Sequence, residues 1–307
     1  MRKPTMLFVR RSGTVNGGQI KVFDYMQHVA ASARFSTAVY LHPNDLALHK
    51  DLDILGVRHL DRPYEADAFF LAGLDWYVLD EFGVDTSRRP VINLIQGFTH
   101  VDPSDRRFAL LERHALRICV SPALTEAVLD TGRAAGPIVT IENAIDLSAT
   151  PRAERARNSV VIAGAKNAPI ATEVASELTA LGFVPTLIND FIPRHALLGA
   201  FARSEIAVTL PLEREGFFMP PLEAMALGCA TVVPDCLGNR SFCIDEDTAL
   251  VPTYTAPAIC NAILSLLSSP RRRQRIAESG RAMADTYSLE RERCQFISAL
   301  EGFITGI

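Results

Sequence analysis

The chain has 307 residues, 48% of them apolar and 21% charged, with 31 basic against 35 acidic side chains for a net charge of −4. That length suits about two domains of roughly 100–200 residues, and the apolar content excludes a disordered polymer. No apolar run approaches the roughly 18–20 residues of a membrane span, and the lack of a basic excess argues against a chain held to nucleic acid through phosphates.

Short β-rich runs alternate with helical patterns from end to end. Strands are predicted at residues 5–10, 36–41, 68–72, 91–95, 117–120 and 138–141. Ahead of the first helix, the apolar stretch spans only residues 6–9 before Arg10 and Arg11, too short for the ~7–15-residue core of a signal peptide. A cytoplasmic protein is therefore expected. Ile20, Phe23, Met26, Ala30 and Ala33 recur at helical spacing over residues 19–33. A second series follows the polar stretch 148–158, with strands at 159–163, 184–188, 206–210 and 230–233. Its helices are predicted at 170–181, 195–203, 221–227, 256–267 and 271–287. Such alternation builds parallel sheets covered on both faces. The expected fold is α/β, with two Rossmann-like doubly wound domains at residues 1–147 and 148–287. Ligands of such sheets sit at the carboxyl ends of the strands, which places the expected site in the cleft between the domains.

Cys119, Cys229, Cys236, Cys243, Cys260 and Cys294 form no C-x-x-C pair and no zinc-ligand spacing, and they read as free thiols. The arginines of residues 271–293 are interleaved with Glu278, Asp285, Glu290 and Glu292 and read as solvated helix faces. Arg271 to Arg275 is also compatible with peripheral association with an anionic membrane surface, such as the inner face of a membrane.

The most informative segment is PLEREGFFMPPLEAMALGCATVVPDCLGNRSFC, residues 211–243. An apolar strand runs into a loop bearing Glu215 and Gly216. Pro220 and Pro221 then open a helix whose first turn is expected to contain Glu223, near the positive end of the dipole. Gly228 ends that helix. Glu215 and Glu223 therefore lie on one side of the sheet, where a carboxylate can accept both hydroxyls of a ribose. The backbone N–H groups of Phe218 and Met219 are expected to be free for a phosphate or sugar hydroxyl.

The string EGFFMPPLEAMALG resembles the E-x7-E motif of retaining GT-B glycosyltransferases, the group 1 or family-four-like enzymes. The resemblance extends more weakly over the whole chain. It implies two Rossmann-like domains and donor binding by Phe217, Phe218, Met219 and Glu223, with Glu215 at the sugar. Gly17 and Gly18, in SGTVNGG after the first strand, match the glycine pair where that family's backbone approaches the donor diphosphate; physically, small residues at a helix start form an anion cradle. His100, in QGFTH, falls where the family carries a histidine near the donor sugar, so the resemblance implies catalytic roles for Glu215 and His100. Residues 142–146, ENAID, are similar to the hinge before the second domain, with Ala144 in place of a glycine. Lys166 matches a diphosphate-binding lysine, but the accompanying arginine has no counterpart, which leaves Arg240 or Arg194 to supply that charge. Ile192 falls where the family packs the nucleotide base. Phe218 stands where the family has glycine. The last helix, residues 288–307, is expected to pack back on the first domain.

The resemblance implies transfer from a nucleotide-diphosphate sugar to a saccharide or lipid-linked acceptor, with retention and in bacterial surface glycan synthesis. Lys166, the Gly17–Gly18 backbone and helix N-termini would stabilise the leaving diphosphate. Relatives with this motif generally work without a metal, so the resemblance implies neither metal nor cofactor. A nicotinamide-dependent oxidoreductase would need a G-x-G-x-x-G fingerprint, and none is present. A non-catalytic GT-B protein or partner-dependent subunit is the remaining alternative.

Overall fold

A computed structural model describes residues 3–10, 17–32, 34–41, 57–148 and 153–305. It divides into two compact units, Met1–Asn143 with Leu289–Ile307, and Ala144–Ser288.

In the first unit, β1 (Thr5–Arg10), β2 (Ser36–Leu41), β3 (Arg58–His59), β4 (Ala68–Ala72), β5 (Val91–Ile95), β6 (Leu116–Cys119) and β7 (Ile138–Thr140) form one sheet in the order β3-β2-β1-β4-β5-β6-β7. All its pairings are parallel. Strands β1, β4 and β5 are buried at every position, as a parallel sheet with two covered faces requires. The strand order reverses direction between β1 and β4, the switch point of a doubly wound sheet. Helix α1 (Gly17–Ser32) buries Val22, Tyr25, Met26 and Val29. Two helices not predicted from sequence follow, α2 (Trp76–Glu81) and α3 (Pro122–Asp130). The Ser121 hydroxyl caps α3 by accepting from Leu124 N at 3.3 Å.

In the second unit, β8 (Val160–Ala163), β9 (Thr186–Ile188), β10 (Ile206–Thr209) and β11 (Ala230–Val232) form a parallel sheet in the order β11-β10-β8-β9. Its helices are α4 (Ala168–Ala180), α5 (Arg194–Ala202), α6 (Met219–Ala226), α7 (Ala256–Ser268) and α8 (Pro270–Asp285). Alternate strand residues serve opposite faces. Val160, Ile162, Val208 and Val232 pack with Val174, Leu178, Ile259 and Ile263, whereas Val161 and Ala207 pack with Leu198, Phe201 and Ala224.

Helix α9 (Leu289–Thr305) belongs to the first unit, where Phe296 meets Tyr25 of α1 edge-on at 4.9 Å between ring centroids. All six cysteines are free thiols, and only Cys294 is exposed. Burial pushes Cys119, Cys229, Cys236 and Cys260 up to about 12, which keeps them protonated and unreactive at neutral pH.

Candidate functional site

The second sheet reverses its winding between β8 and β10, so the loops leaving their carboxyl ends open a crevice there. After β8 the chain turns sharply: Gly164 N–H donates to Ile188 O at 2.8 Å, and a Cβ on Gly164 would lie 2.1 Å from that of Ala171. This close approach puts Lys166 just before the start of α4. After β10 the loop is held by Leu237 N–H donating to Glu213 O at 3.1 Å and by Leu212 N–H donating to Glu215 Oε1 at 3.0 Å. The two loops meet in an ion pair, Lys166 Nζ to Glu215 Oε1 at 2.6 Å, with side chains 30% and 13% exposed.

Phe218 does not project into the crevice. Its side chain is buried with Leu222, Met225, Val233 and Phe242, and its ring lies 5.0 Å from Lys166 Nζ. Phe217 stacks obliquely on Phe242 at 5.2 Å. Two expectations are corrected here. The Phe218 N–H is not free, because it donates to Gly238 O at 3.3 Å. Helix α6 begins at Met219, two residues early, because both prolines fit inside its first turn. Glu223 therefore lies in the second turn, and Met219 supplies the only N–H among the first three helical residues.

Glu223 is 3% exposed. Arg194 Nε donates to its Oε1 at 2.7 Å, while Arg194 Nη2 donates to Asp146 O at 3.0 Å. Burial pushes the Glu223 carboxyl above the usual range, and Arg194 pulls it partly back. Arg240 is exposed and makes a forked pair with Asp235, Nε to Oδ1 at 2.9 Å and Nη2 to Oδ2 at 2.5 Å. Phe191 and Ile192 stand in the loop before α5, 81% and 38% exposed.

Gly17, Gly18 and His100 belong to the first unit. The two glycines open α1, and Gly18 O accepts from Gln96 Nε2 at 3.3 Å. The rest of the expected anion cradle, residues 12–16, lies outside the described residues. His100 is buried in a 3-10 turn, Phe98–Val101. Its Nδ1 faces Gly97 O at 3.1 Å, which places the proton on Nδ1, and the buried Nε2 has no partner among the described residues. Burial depresses the imidazole to about 4, so it is neutral at physiological pH.

Sequence reasoning missed one buried ion pair at the β1–β4 switch point. Arg10 Nη1 lies 2.7 Å from Asp75 Oδ2, and Arg10 Nε donates to Gln19 Oε1 at 2.9 Å. The available signal was a charged residue ending a largely apolar strand. The arginines of α8 are largely tied down: Arg272 pairs with Glu246, and Arg273 with Glu205 at 3.2 Å. A separate surface cavity of about 420 Å³ lies along α8, lined by Arg155, Glu205, Arg273 and Arg281 among others. Among the described residues no group of three His, Cys, Asp or Glu side chains could hold a metal ion, and no helix is long and apolar enough to cross a membrane.

Two parallel-sheet α/β domains of this kind are the GT-B fold. Residues 135–283, a little under half of the chain, match the family model described as glycosyl transferases group 1. No curated protein matches the chain significantly in sequence. In structure it is similar to Anabaena HepE (Alr3699) in complex with UDP and glucose, with a TM-score of 0.77, 16% identity and coverage of 97% of this chain and 100% of that one. The same protein in complex with UDP-glucose gives 0.77 at 15% identity over the same shares of the two chains. Sucrose-phosphate synthase (tll1590) from Thermosynechococcus elongatus gives 0.70 at 15% identity over 99% and 100%. The structural likenesses establish the fold, and the family match supports a GT-B glycosyltransferase.

Proposed function

We propose that the protein transfers a sugar from a nucleotide-diphosphate donor, with retention at the anomeric carbon. The observation that carries this reading is the convergence of Lys166 and Glu215 at the β8–β10 switch point, with buried Glu223 on the helix that follows. Lys166 supplies positive charge for a departing diphosphate, the term on which such a transfer mainly depends. Glu223 accepts the ribose hydroxyls, Glu215 those of the sugar, and Ile192 with Phe191 offers apolar surface for the base. In the first unit, the start of α1 at Gly17 and Gly18 suits an anion. The neutral His100, its Nε2 lone pair unpartnered among the described residues, suits a hydroxyl donor. All of these groups act without a metal. Structures of HepE hold UDP and UDP-glucose. From these we carry over a nucleotide-sugar donor; a saccharide or lipid-linked acceptor and a cytoplasmic setting in surface glycan synthesis follow from the motif resemblance alone.

A second reading, nucleotide-sugar binding without transfer, is favoured by one observation. Both arginines that could add phosphate charge are engaged by carboxylates, Arg194 by Glu223 and Arg240 by Asp235.

Thermal stabilisation by nucleoside diphosphates and their sugar conjugates tests the donor site, because a ligand that binds only the folded state raises the melting midpoint. The expected result is a shift with one nucleotide family that is lost in Glu223→Ala and reduced in Lys166→Met. Donor hydrolysis then separates transfer from binding alone, and the configuration of the released or transferred sugar tests retention. A folded wild-type protein that no nucleotide stabilises would count against the whole reading.

A further inference from the structure

Arg194 stands at the first position of α5, the end of a helix where a cation is disfavoured by the dipole. Its placement is accounted for by what it touches. The guanidinium bridges two elements, donating through Nε to Glu223 Oε1 at 2.7 Å and through Nη2 to Asp146 O at 3.0 Å. Glu223 lies almost wholly in the protein, and its Oε2 has no hydrogen-bond partner among the described residues. One carboxylate oxygen is thus held from the protein side while the other is left for a ligand.

We propose that Arg194 is a positioning residue for donor binding, clamping Oε1 of Glu223 so that the carboxylate stays fixed and charged with Oε2 presented to the ribose hydroxyls. The inference rests on the donor-site reading above and deepens it. Arg194 is the charged group acting on Glu223. It is in turn acted on by Asp146, whose own carboxyl is held low chiefly by the backbone N–H of Ser148. Without the guanidinium, burial alone would govern Glu223, and protonation would remove one of the acceptors a diol needs.

The test is titration calorimetry of nucleoside diphosphates and their 2′-deoxy counterparts, from about pH 5 to pH 8, on wild type, Arg194→Gln and Arg194→Lys. Wild type should prefer the ribonucleotide, with a preference that holds into mildly acidic solution. In Arg194→Gln that preference should fall by roughly tenfold or more at neutral pH, the scale of one charge-assisted hydrogen bond, and its acid limb should move to higher pH. Arg194→Lys keeps the charge and should restore the limb while recovering only part of the affinity, because it lacks the planar fork.

A Gln variant that weakens both nucleotides equally, or leaves the acid limb in place, would overturn the proposal. Should that variant melt too low to titrate, the Lys variant decides: a limb shifted from wild type overturns the inference, and an unshifted one supports it. A wild-type protein that binds a diphosphate without ribose preference overturns the clamp but keeps a donor site. One that binds none overturns the donor-site reading itself and takes the clamp with it.

Discussion

Lys21 and Glu292 form an ion pair with no exposed side-chain surface, Nζ to Oε1 at 2.7 Å, between the first helix and the last. Asp24 lies 2.7 Å from the same ammonium, and His28 Nε2 lies 2.8 Å from Glu292 Oε2. A charge so far from water is tolerated only while its partner remains. Glu292→Leu should therefore lower unfolding free energy by about 3–5 kcal/mol. Lys21→Met combined with Glu292→Leu should lose clearly less than the sum of the two single changes, since neither charge is then left buried alone. Chemical denaturation of the four proteins in the cycle reads the coupling, and strict additivity would contradict the buried pair.

His100 gives the molecule a definite acid response. Its imidazole falls from an ordinary 6.5 to about 4 because burial disfavours the charged form. The unfolded chain then binds the proton more readily than the folded one. The stability gained from keeping the ring neutral is present above pH 6.5 and is lost as pH falls toward 4. The full difference is on the order of 3 kcal/mol. Replacing His100 by Asn should flatten this slope in denaturation midpoints between those two values. An unchanged slope would show that the ring is accessible to water.

Much of this architecture was readable because its strands are short, apolar and rich in β-branched residues. β1, β2, β4 and β5 occupy the predicted spans to the residue. β3 was invisible because it is two exposed polar residues, and α2 because six residues are too few to show a helical period. α3 carried a Ser-Pro start signal that went unused. In the second unit, Glu215, Glu223 and Lys166 stood out through one long motif and one turn. Their pairing partners did not, since Arg194 meets Glu223 only through the packing of α5 beside α6. A lone arginine at a helix start reads as surface until the fold brings a buried carboxylate to it. The direction of Phe218 was equally hidden, because a bulky residue in place of glycine can fill a pocket or leave it.

Phe218 leaves it, and this sets its expected mutational cost. Its ring is part of the buried cluster under α6 and supports Lys166 from 5.0 Å. Restoring the glycine of the resembling motif, Phe218→Gly, should destabilise by about 3–5 kcal/mol, the scale of emptying an aromatic site. Phe218→Leu should cost less in stability yet weaken nucleoside diphosphate binding a few-fold, because the ring face that attracts the ammonium is gone. Calorimetric titration beside a denaturant curve separates the two effects. A stable glycine variant would mean that the ring is not part of the core.

Gly238 offers the sharpest separation of site geometry from fold stability. A Cβ added there would sit 2.5 Å from Glu215 O, 2.9 Å from Gly216 C and 2.9 Å from Phe217 Cα. All three are backbone atoms, so no side chain can swing aside. The Glu215 loop itself must move, along with the hydrogen bond from Phe218 N–H to Gly238 O. Gly238→Ala should cost about 1–3 kcal/mol, as overpacking does, and should displace the carboxylate paired with Lys166. Gly302→Ala is the control: no atom of the described residues lies within 4 Å of its added Cβ, and within a helix alanine should stabilise by up to roughly 0.5–1 kcal/mol. Nucleotide affinity should drop in the first variant at temperatures where it is fully folded and stay unchanged in the second. Equal affinities in both would show that the Glu215 loop yields freely, and that its position does not depend on the close approach of Gly238.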